Sequence, residues 1–320
     1  MVRPFLTSLV FLGLSAALAN AQQVASPNVA LVRAALPDGR HIAFYCAGTG
    51  SPTVIFDSGL GADAQAWSRV QPDIAQTTRA CTFDRPGYGG SDEGPAPRDA
   101  TRIVGDLEAG LKAAGIAGPY VLVGHSMGGY DMRLFANLHA QEVVGMVLVD
   151  PSIDGNEAPL RAVSPAFVRA MADFQATAGK CIRATANGQM TPDYAIYGEC
   201  GSPPLNSPMA SAALARTALS EQESMDDSSR QVLASEPASS ALPLIVLTAG
   251  AQNGPEPGMP EAERMALSAV IRENHAAIAA RSSAGVHRVV EGAPHMIQMA
   301  KPDAVVTAIR EVMDEVETVR

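Results

Sequence analysis

The chain has 320 residues, of which 47% are hydrophobic and 18% charged, and its formal net charge is −10. That is enough apolar material for a large buried core and too little charge for an unfolded chain. The acidic balance argues against a nucleic-acid partner and against an anionic membrane surface, and no oligomeric state follows from it.

The first residues read as a secretory signal. Arg3 supplies the positive start, Phe5 to Leu18 is apolar, and Ala19-Asn20-Ala21 is a small-x-small cleavage site. The apolar stretch falls short of the ~20 residues that a membrane span requires, so no stable membrane anchor is expected. Removal of residues 1–21 near Ala21 predicts an exported protein, periplasmic or secreted. The four cysteines, Cys46, Cys81, Cys181 and Cys200, suit such an oxidising compartment. Neither their spacing nor nearby histidines form a metal-ligand pattern, so no metal is expected.

After the leader, strands and helices alternate. Val29 to Ala35 and His41 to Cys46 read as strands joined by a turn at Pro37-Asp38-Gly39. Thr53 to Phe56 is a short apolar strand, a helix is expected over Ala64 to Ala75, and Arg79 to Phe83 is the next strand. Ala100 to Ala114 has helical periodicity through Ile103, Leu107 and Leu111. Tyr120 to Val123 and Val143 to Val149 are buried strands. The pattern resumes at Leu242 to Thr248 and Val286 to Val290 and closes on a helix that begins at Pro302. Alternation of this kind implies a parallel sheet, with functional residues at the C-terminal strand ends. The interval 151–241 is rich in Ala, Ser, Met and Pro and has no strong strand. It reads as a mostly helical insertion, a lid over the strand ends, with Cys181 and Cys200 pairing inside it.

The strand at Tyr120 runs straight into Gly124-His125-Ser126-Met127-Gly128-Gly129. Strand, Gly-x-Ser-x-Gly and helix in succession form the setting in which a serine becomes a nucleophile. Gly124 and Gly128 remove Cβ atoms from a tight turn, and the following helix start offers free N–H groups to a developing oxyanion.

Together with this motif, three further segments resemble the α/β-hydrolase family. Asp84 to Ser91 is similar to the family's Asp-Arg-x-Gly-x-Gly-x-Ser segment. Ser58-Gly59-Leu60-Gly61 stands where the family usually has His-Gly. Gly292-Ala293-Pro294-His295 is similar to the stretch carrying its late histidine. The resemblance implies a mostly parallel, eight-stranded sheet with helices on both faces. It divides the chain into a core of 22–150 and 242–320, with a helical cap, 151–241, inserted between strands 6 and 7. It also implies oxyanion donors at the Leu60 and Met127 main chain. Asp84 and Arg85 would hold nearby loops. Because the second and fourth strands are neighbours in that sheet, Cys46 and Cys81 are expected to pair.

Ser126 needs a general base, and histidine is suited to take and return its proton. Of six histidines, His125 is expected to point away inside the turn, and His41 and His287 lie within strands. His139 and His275 read as surface residues on helices. His295, in a Gly-Pro loop after the last strand, is the expected base. The family usually places its acid after the strand at Leu242 to Thr248, but no carboxylate follows there until Glu256. Some members use the preceding strand, which here ends at Asp150. Asp150 is therefore the leading candidate, with Asp154 and Glu256 as alternatives.

These residues predict a serine hydrolase acting on a small-molecule ester or related acyl substrate, with no cofactor. Ser126 disfavours dehalogenase and epoxide-hydrolase chemistry, which need an aspartate at this turn. Lactone, thioester, peptide and carbon–carbon hydrolysis stay open, as does a binding protein on an inactive hydrolase scaffold.

Overall fold

The computed structural model describes residues 28–155, 158–187, 201–202, 207–208, 212–237, 240–251 and 259–319. The expected signal segment 1–21 and its cleavage point lie outside these residues. No helix among the described residues is long and apolar enough to cross a membrane.

Eight strands form one sheet: β1 (Ala30–Ala35), β2 (His41–Ala47), β3 (Thr53–Asp57), β4 (Ala80–Asp84), β5 (Tyr120–His125), β6 (Val143–Val149), β7 (Leu244–Ala249) and β8 (Gly285–Val290). Their spatial order is β1-β2-β4-β3-β5-β6-β7-β8. β2 runs antiparallel to both its neighbours, and every other pairing is parallel. The central strands β3, β4, β5 and β7 are buried along their whole length. Their continuous apolar runs follow from that, since both faces of a parallel sheet are covered.

The helical cover comes in two layers. The short α1 (Gln71–Ile74) and the C-terminal helix that begins at Pro302 pack on one face, through Ile74, Val305, Ile309 and Val312. α2 (Ala100–Ala114) and α3 (Gly128–Leu138) pack on the other, through Ile103, Leu107, Met132 and Phe135. α2 has the boundaries its periodicity predicts. Asp99 caps it by accepting from the Arg102 N–H, and Gly115, at φ 61°, ends it in the left-handed region.

The helix expected over Ala64 to Ala75 is broken. Ala64–Trp67 forms a single 3₁₀ turn, and α1 restarts at Gln71 with Pro72 in its first turn. A continuous helix would set the Pro72 ring against the carbonyl one turn earlier. At a helix start the missing N–H is not needed.

Cys46 and Cys81 face each other in the antiparallel β2–β4 register and form a disulfide. The expected Cys181–Cys200 pair involves residue 200, which lies outside the described residues. The β2–β4 bond joins residues 35 apart in sequence. Loop-closure entropy predicts that Cys46→Ala/Cys81→Ala loses about 2–4 kcal/mol of unfolding free energy. Urea denaturation checks this, and an unchanged midpoint refutes it.

Between β6 and β7 the described chain is mostly helical: α4 (Ala158–Val163), α5 (Pro165–Ala186), α6 (Ala212–Glu223) and α7 (Met225–Ser235). It also contains one two-residue hairpin rung, Gly201–Ser202 against Ser207–Pro208, where no strand is expected. α8 (Glu261–Ala279) then joins β7 to β8. After β8 come α9 (Ile297–Ala300) and α10 (Pro302–Val319).

Candidate active site

β5 ends at the turn that carries Ser126, whose φ of 52° is unusual for a residue with a side chain. The glycines around it allow the bend. A Cβ on Gly124 would lie 2.6 Å from the Gly128 carbonyl oxygen, and one on Gly128 would lie 2.7 Å from that of Ser58. Main-chain bonds hold the turn. Ser126 N–H donates to Val149 O at 3.1 Å, and Ser126 O accepts from Gly129 N–H and Ser152 N–H, each at 2.9 Å. Strain at such a turn persists only where the surroundings over-determine it, as here.

The loop after β8 brings His295 onto this turn. His295 Nε2 lies 3.0 Å from Ser126 Oγ, and His295 Nδ1 lies 2.6 Å from Asp150 Oδ2. Asp150 follows β6 directly and also has a positive φ, 43°. Its Oδ1 accepts from Ala249 N–H at 2.9 Å, so the carboxylate spans from β7 to the histidine. Burial works against its ionisation. The bond from His295, the charges of His295 and His275 and the Ala249 N–H outweigh burial and hold the carboxyl below its ordinary value of 3.8. The three side chains form one hydrogen-bonded line. It can pass a proton from the hydroxyl to the imidazole while the carboxylate stabilises the imidazolium.

The alternative acids are not in this line. The Asp154 carboxylate is taken up by Arg133 at 2.6 Å and Arg281 at 2.9 Å. Glu256 lies outside the described residues.

Two other histidines differ from their sequence reading. His125 does not point away from the site: its ring centroid is 4.7 Å from that of His295, and its Nε2–H donates to the His295 carbonyl at 3.1 Å. Burial, with the neighbouring His295, pushes its pKa down to about 3, so it is neutral and acts as a prop. His275 is fully buried instead of exposed. Its Nε2–H donates to Pro151 O at 2.7 Å and its Nδ1 accepts from Thr248 Oγ1 at 2.7 Å, fixing the backbone beside Asp150.

The loop after β3 closes the other side. A Cβ on Gly59 would come 3.0 Å from Ser126 Cβ, so this loop lies directly against the serine. Neither Leu60 N–H nor Met127 N–H donates a hydrogen bond to another described group. Arg85 donates to Asp57 Oδ1 at 2.7 Å, to Gly59 O at 2.8 Å and to Ser58 O, and so ties the loop down. Asp84 does the same for its surroundings, accepting from Ala64 N–H at 2.9 Å and Gly90 N–H at 2.8 Å. Among the described residues no cluster of His, Cys, Asp and Glu could hold a metal ion.

Behind this loop, the carboxyls of Asp57 and Asp131 of α3 are both buried. Burial, then the charge of Asp57, pushes Asp131 well above 3.8. Protonated Asp131 therefore favours the folded chain at low pH. The gain is lost as pH rises from 3.8, where the unfolded chain releases the proton, to the higher pH at which the folded chain does. Asp131→Asn keeps the side chain's shape and removes this titration. Relative to wild type, its unfolding free energy should rise by about 1.4 kcal/mol per pH unit inside this window. Denaturation across a pH series checks this, and a constant difference between the two proteins contradicts it.

Residues 54–308 match the profile of the Alpha/beta hydrolase family. The chain belongs to the α/β-hydrolase family. Solved hydrolases of this family have the same fold. A thermophilic esterase from Thermogutta terrifontis aligns with a TM-score of 0.63 at 22% identity, covering 90% of this chain and 99% of that one. The haloalkane dehalogenase DatA from Agrobacterium tumefaciens C58 aligns with a TM-score of 0.63 at 17% identity, covering 90% and 97%. Among curated proteins, the uncharacterized protein YqjL of Bacillus subtilis (strain 168) is 36% identical over 106 residues, 33% of this chain and 42% of YqjL. The chain thus spans less than half the length of that relative.

Proposed function

We propose that this α/β-hydrolase cleaves carboxylic esters through an acyl-enzyme on Ser126. The observation that carries the reading is the 3.0 Å contact between Ser126 Oγ and His295 Nε2, with Asp150 2.6 Å behind the imidazole. In this reading His295 takes the hydroxyl proton as Oγ attacks the ester carbonyl carbon. The tetrahedral oxyanion sits against the uncommitted N–H groups of Leu60 and Met127. Its collapse breaks the bond to the alkoxide, which leaves with the proton from His295. Water deprotonated by His295 then attacks the acyl carbon, releases the acid and restores Ser126.

An ester suits this site because an alkoxide leaves more easily than an amine. A serine in the turn, where dehalogenases and epoxide hydrolases need an aspartate, favours acyl transfer. We propose residues 151–241 as the cap that shapes the acyl pocket. Export after removal of residues 1–21 is supported by the leader-like composition and is consistent with the Cys46–Cys81 disulfide.

A fluorophosphonate probe tests the central claim. It should label wild type, with the adduct on the peptide containing Ser126, and esters of graded acyl length should then turn over. Absence of both labelling and turnover overturns the reading.

A further inference from the structure

Arg85 and Tyr88 hold the loop that carries the Leu60 N–H, and a single carboxylate anchors both. Glu221 of α6 accepts from Arg85 Nε at 2.8 Å through Oε1, and from the Tyr88 hydroxyl at 2.5 Å through Oε2. The other ends of these groups meet residues 58–61. Arg85 donates to Ser58 O and to Gly59 O, and the Tyr88 oxygen accepts from Gly61 N–H at 3.2 Å. The guanidinium also stacks over the Tyr88 ring, 5.0 Å from its centroid. All three side chains are buried, with exposures of 2% or less, so water does not substitute for any of these bonds.

The helix that carries Glu221 is seated directly on the core. Gly87, at φ 96°, has no Cβ; one placed there would fall 2.0 Å from Thr217 Oγ1. One helical turn from Thr217, the Ser220 hydroxyl accepts from Arg98 N–H at 3.1 Å. Arg216 pairs with Glu93 at 2.7 Å. α6 therefore meets the β4–α2 connection at four successive points. A moving lid does not keep a buried ion pair, a hydroxyl cap and a glycine-matched contact at one place.

We infer that Glu221, contributed by a helix between β6 and β7, is a positioning residue for the oxyanion-binding loop and acts through Arg85 and Tyr88. The inference rests on the proposed serine-hydrolase reading. It makes α6 a fixed part of the catalytic platform and confines any opening motion to other parts of the 151–241 segment. A loop pulled on one side by Arg85 at two carbonyls and on the other by Tyr88 at an N–H has its Leu60 N–H aimed before substrate arrives. Such pre-alignment lowers a barrier without changing ground-state affinity.

Two variants test this in the full-length protein: Glu221→Gln, which keeps shape but loses the charge, and Tyr88→Phe, which keeps the stacked ring but loses the hydroxyl. In Glu221→Gln, kcat for an ester should fall about 10- to 100-fold while KM stays within about 3-fold. Affinity for an arylboronic acid, whose Ser126 adduct is a tetrahedral anion, should fall by the same factor. Tyr88→Phe should show the same pattern at about 3- to 10-fold. Folded variants that bind the boronate as tightly as wild type overturn the positioning role. If Glu221→Gln does not fold, Tyr88→Phe decides alone by the same comparison. Wild type that neither reacts with fluorophosphonate nor cleaves esters removes the hydrolase reading itself; a reactive wild type with unaltered variants removes only the role of Glu221.

Discussion

Replacing Ser126 with alanine is expected to lower kcat for an ester by about 10⁶-fold. The expectation follows from what the variant keeps. The bonds that hold the turn come from the main chain, to Val149 O and from the N–H groups of Gly129 and Ser152, and alanine makes them equally well. The φ of 52° costs alanine about what it costs serine, and no glycine contact changes. The protein should therefore fold and melt as wild type does, and KM should stay close, because ground-state contacts with the acyl group do not involve Oγ. What disappears, on the proposed reading, is the atom that attacks. His295 then has only water to activate, and the Leu60 and Met127 N–H groups can still stabilise an oxyanion, leaving about 10³- to 10⁴-fold over the uncatalysed rate. Steady-state kinetics on protein purified away from other esterases measures the loss, and loss of fluorophosphonate labelling should accompany it. A folded Ser126→Ala protein that keeps a tenth of the wild-type kcat would move the nucleophile elsewhere.

Much of this architecture is legible in the sequence because its signals are local. Each sheet strand is a short apolar run bounded by Gly, Pro or Asp, and the eight strand-forming runs place the whole sheet to within two residues at most ends. The Ser126 turn can be read from its glycines, since each missing Cβ corresponds to a clash that the structure contains. Asp150 is legible only through the family resemblance, in which some members place the acid after the strand that here is β6. The strand-end logic leaves it as the carboxylate nearest the site, but its bond to Ala249 N–H depends on the β6–β7 pairing, which no local pattern encodes.

The harder residues depend on tertiary burial. His275 sits among Arg272, Glu273 and Asn274, neighbours that suggest a solvated helix face, yet its own position turns toward Thr248 and Pro151. His125 is read as pointing away because it is held inside the turn beside Ser126, and successive side chains in a strand alternate faces. The left-handed turn at Ser126 interrupts that alternation, and both side chains reach His295. The cluster of Asp57, Arg85, Asp131 and Glu221 draws one residue each from four distant segments. A carboxylate in a polar stretch of α6 gives no sign of burial until Arg85 is placed opposite it. Pro72 is different in kind: its break in the expected helix was available locally, and the helix-start preference of proline is what decides it.

The second large effect is expected from Asp150→Asn, about 10⁴-fold in kcat at neutral pH, and the geometry dictates why an isosteric change should be so damaging. Asp150 accepts two bonds, Ala249 N–H at Oδ1 and His295 Nδ1–H at Oδ2. An asparagine has one oxygen for these two donors. Pointing that oxygen at His295 sets its NH₂ against the Ala249 N–H, two donors face to face inside a buried site. The favoured orientation gives the oxygen to Ala249 and the NH₂ to His295. His295 Nδ1 must then accept, its proton moves to Nε2, and the nitrogen 3.0 Å from Ser126 Oγ can no longer take a proton. The loss should appear in kcat with KM within a few-fold, and activity should recover in part at high pH, where hydroxide replaces the missing base. The same substitution removes an acid whose folded-state pKa lies below 3.8, and hence a stabilisation present above that pH and lost as pH falls through the folded value. Wild type should therefore lose stability on acidification more steeply than the variant. A folded Asp150→Asn protein with near-normal kcat at pH 7 would mean that His295 is oriented by another group. Asp154 is already committed to two arginines, so that result would point to a carboxylate from the stretch around Glu256.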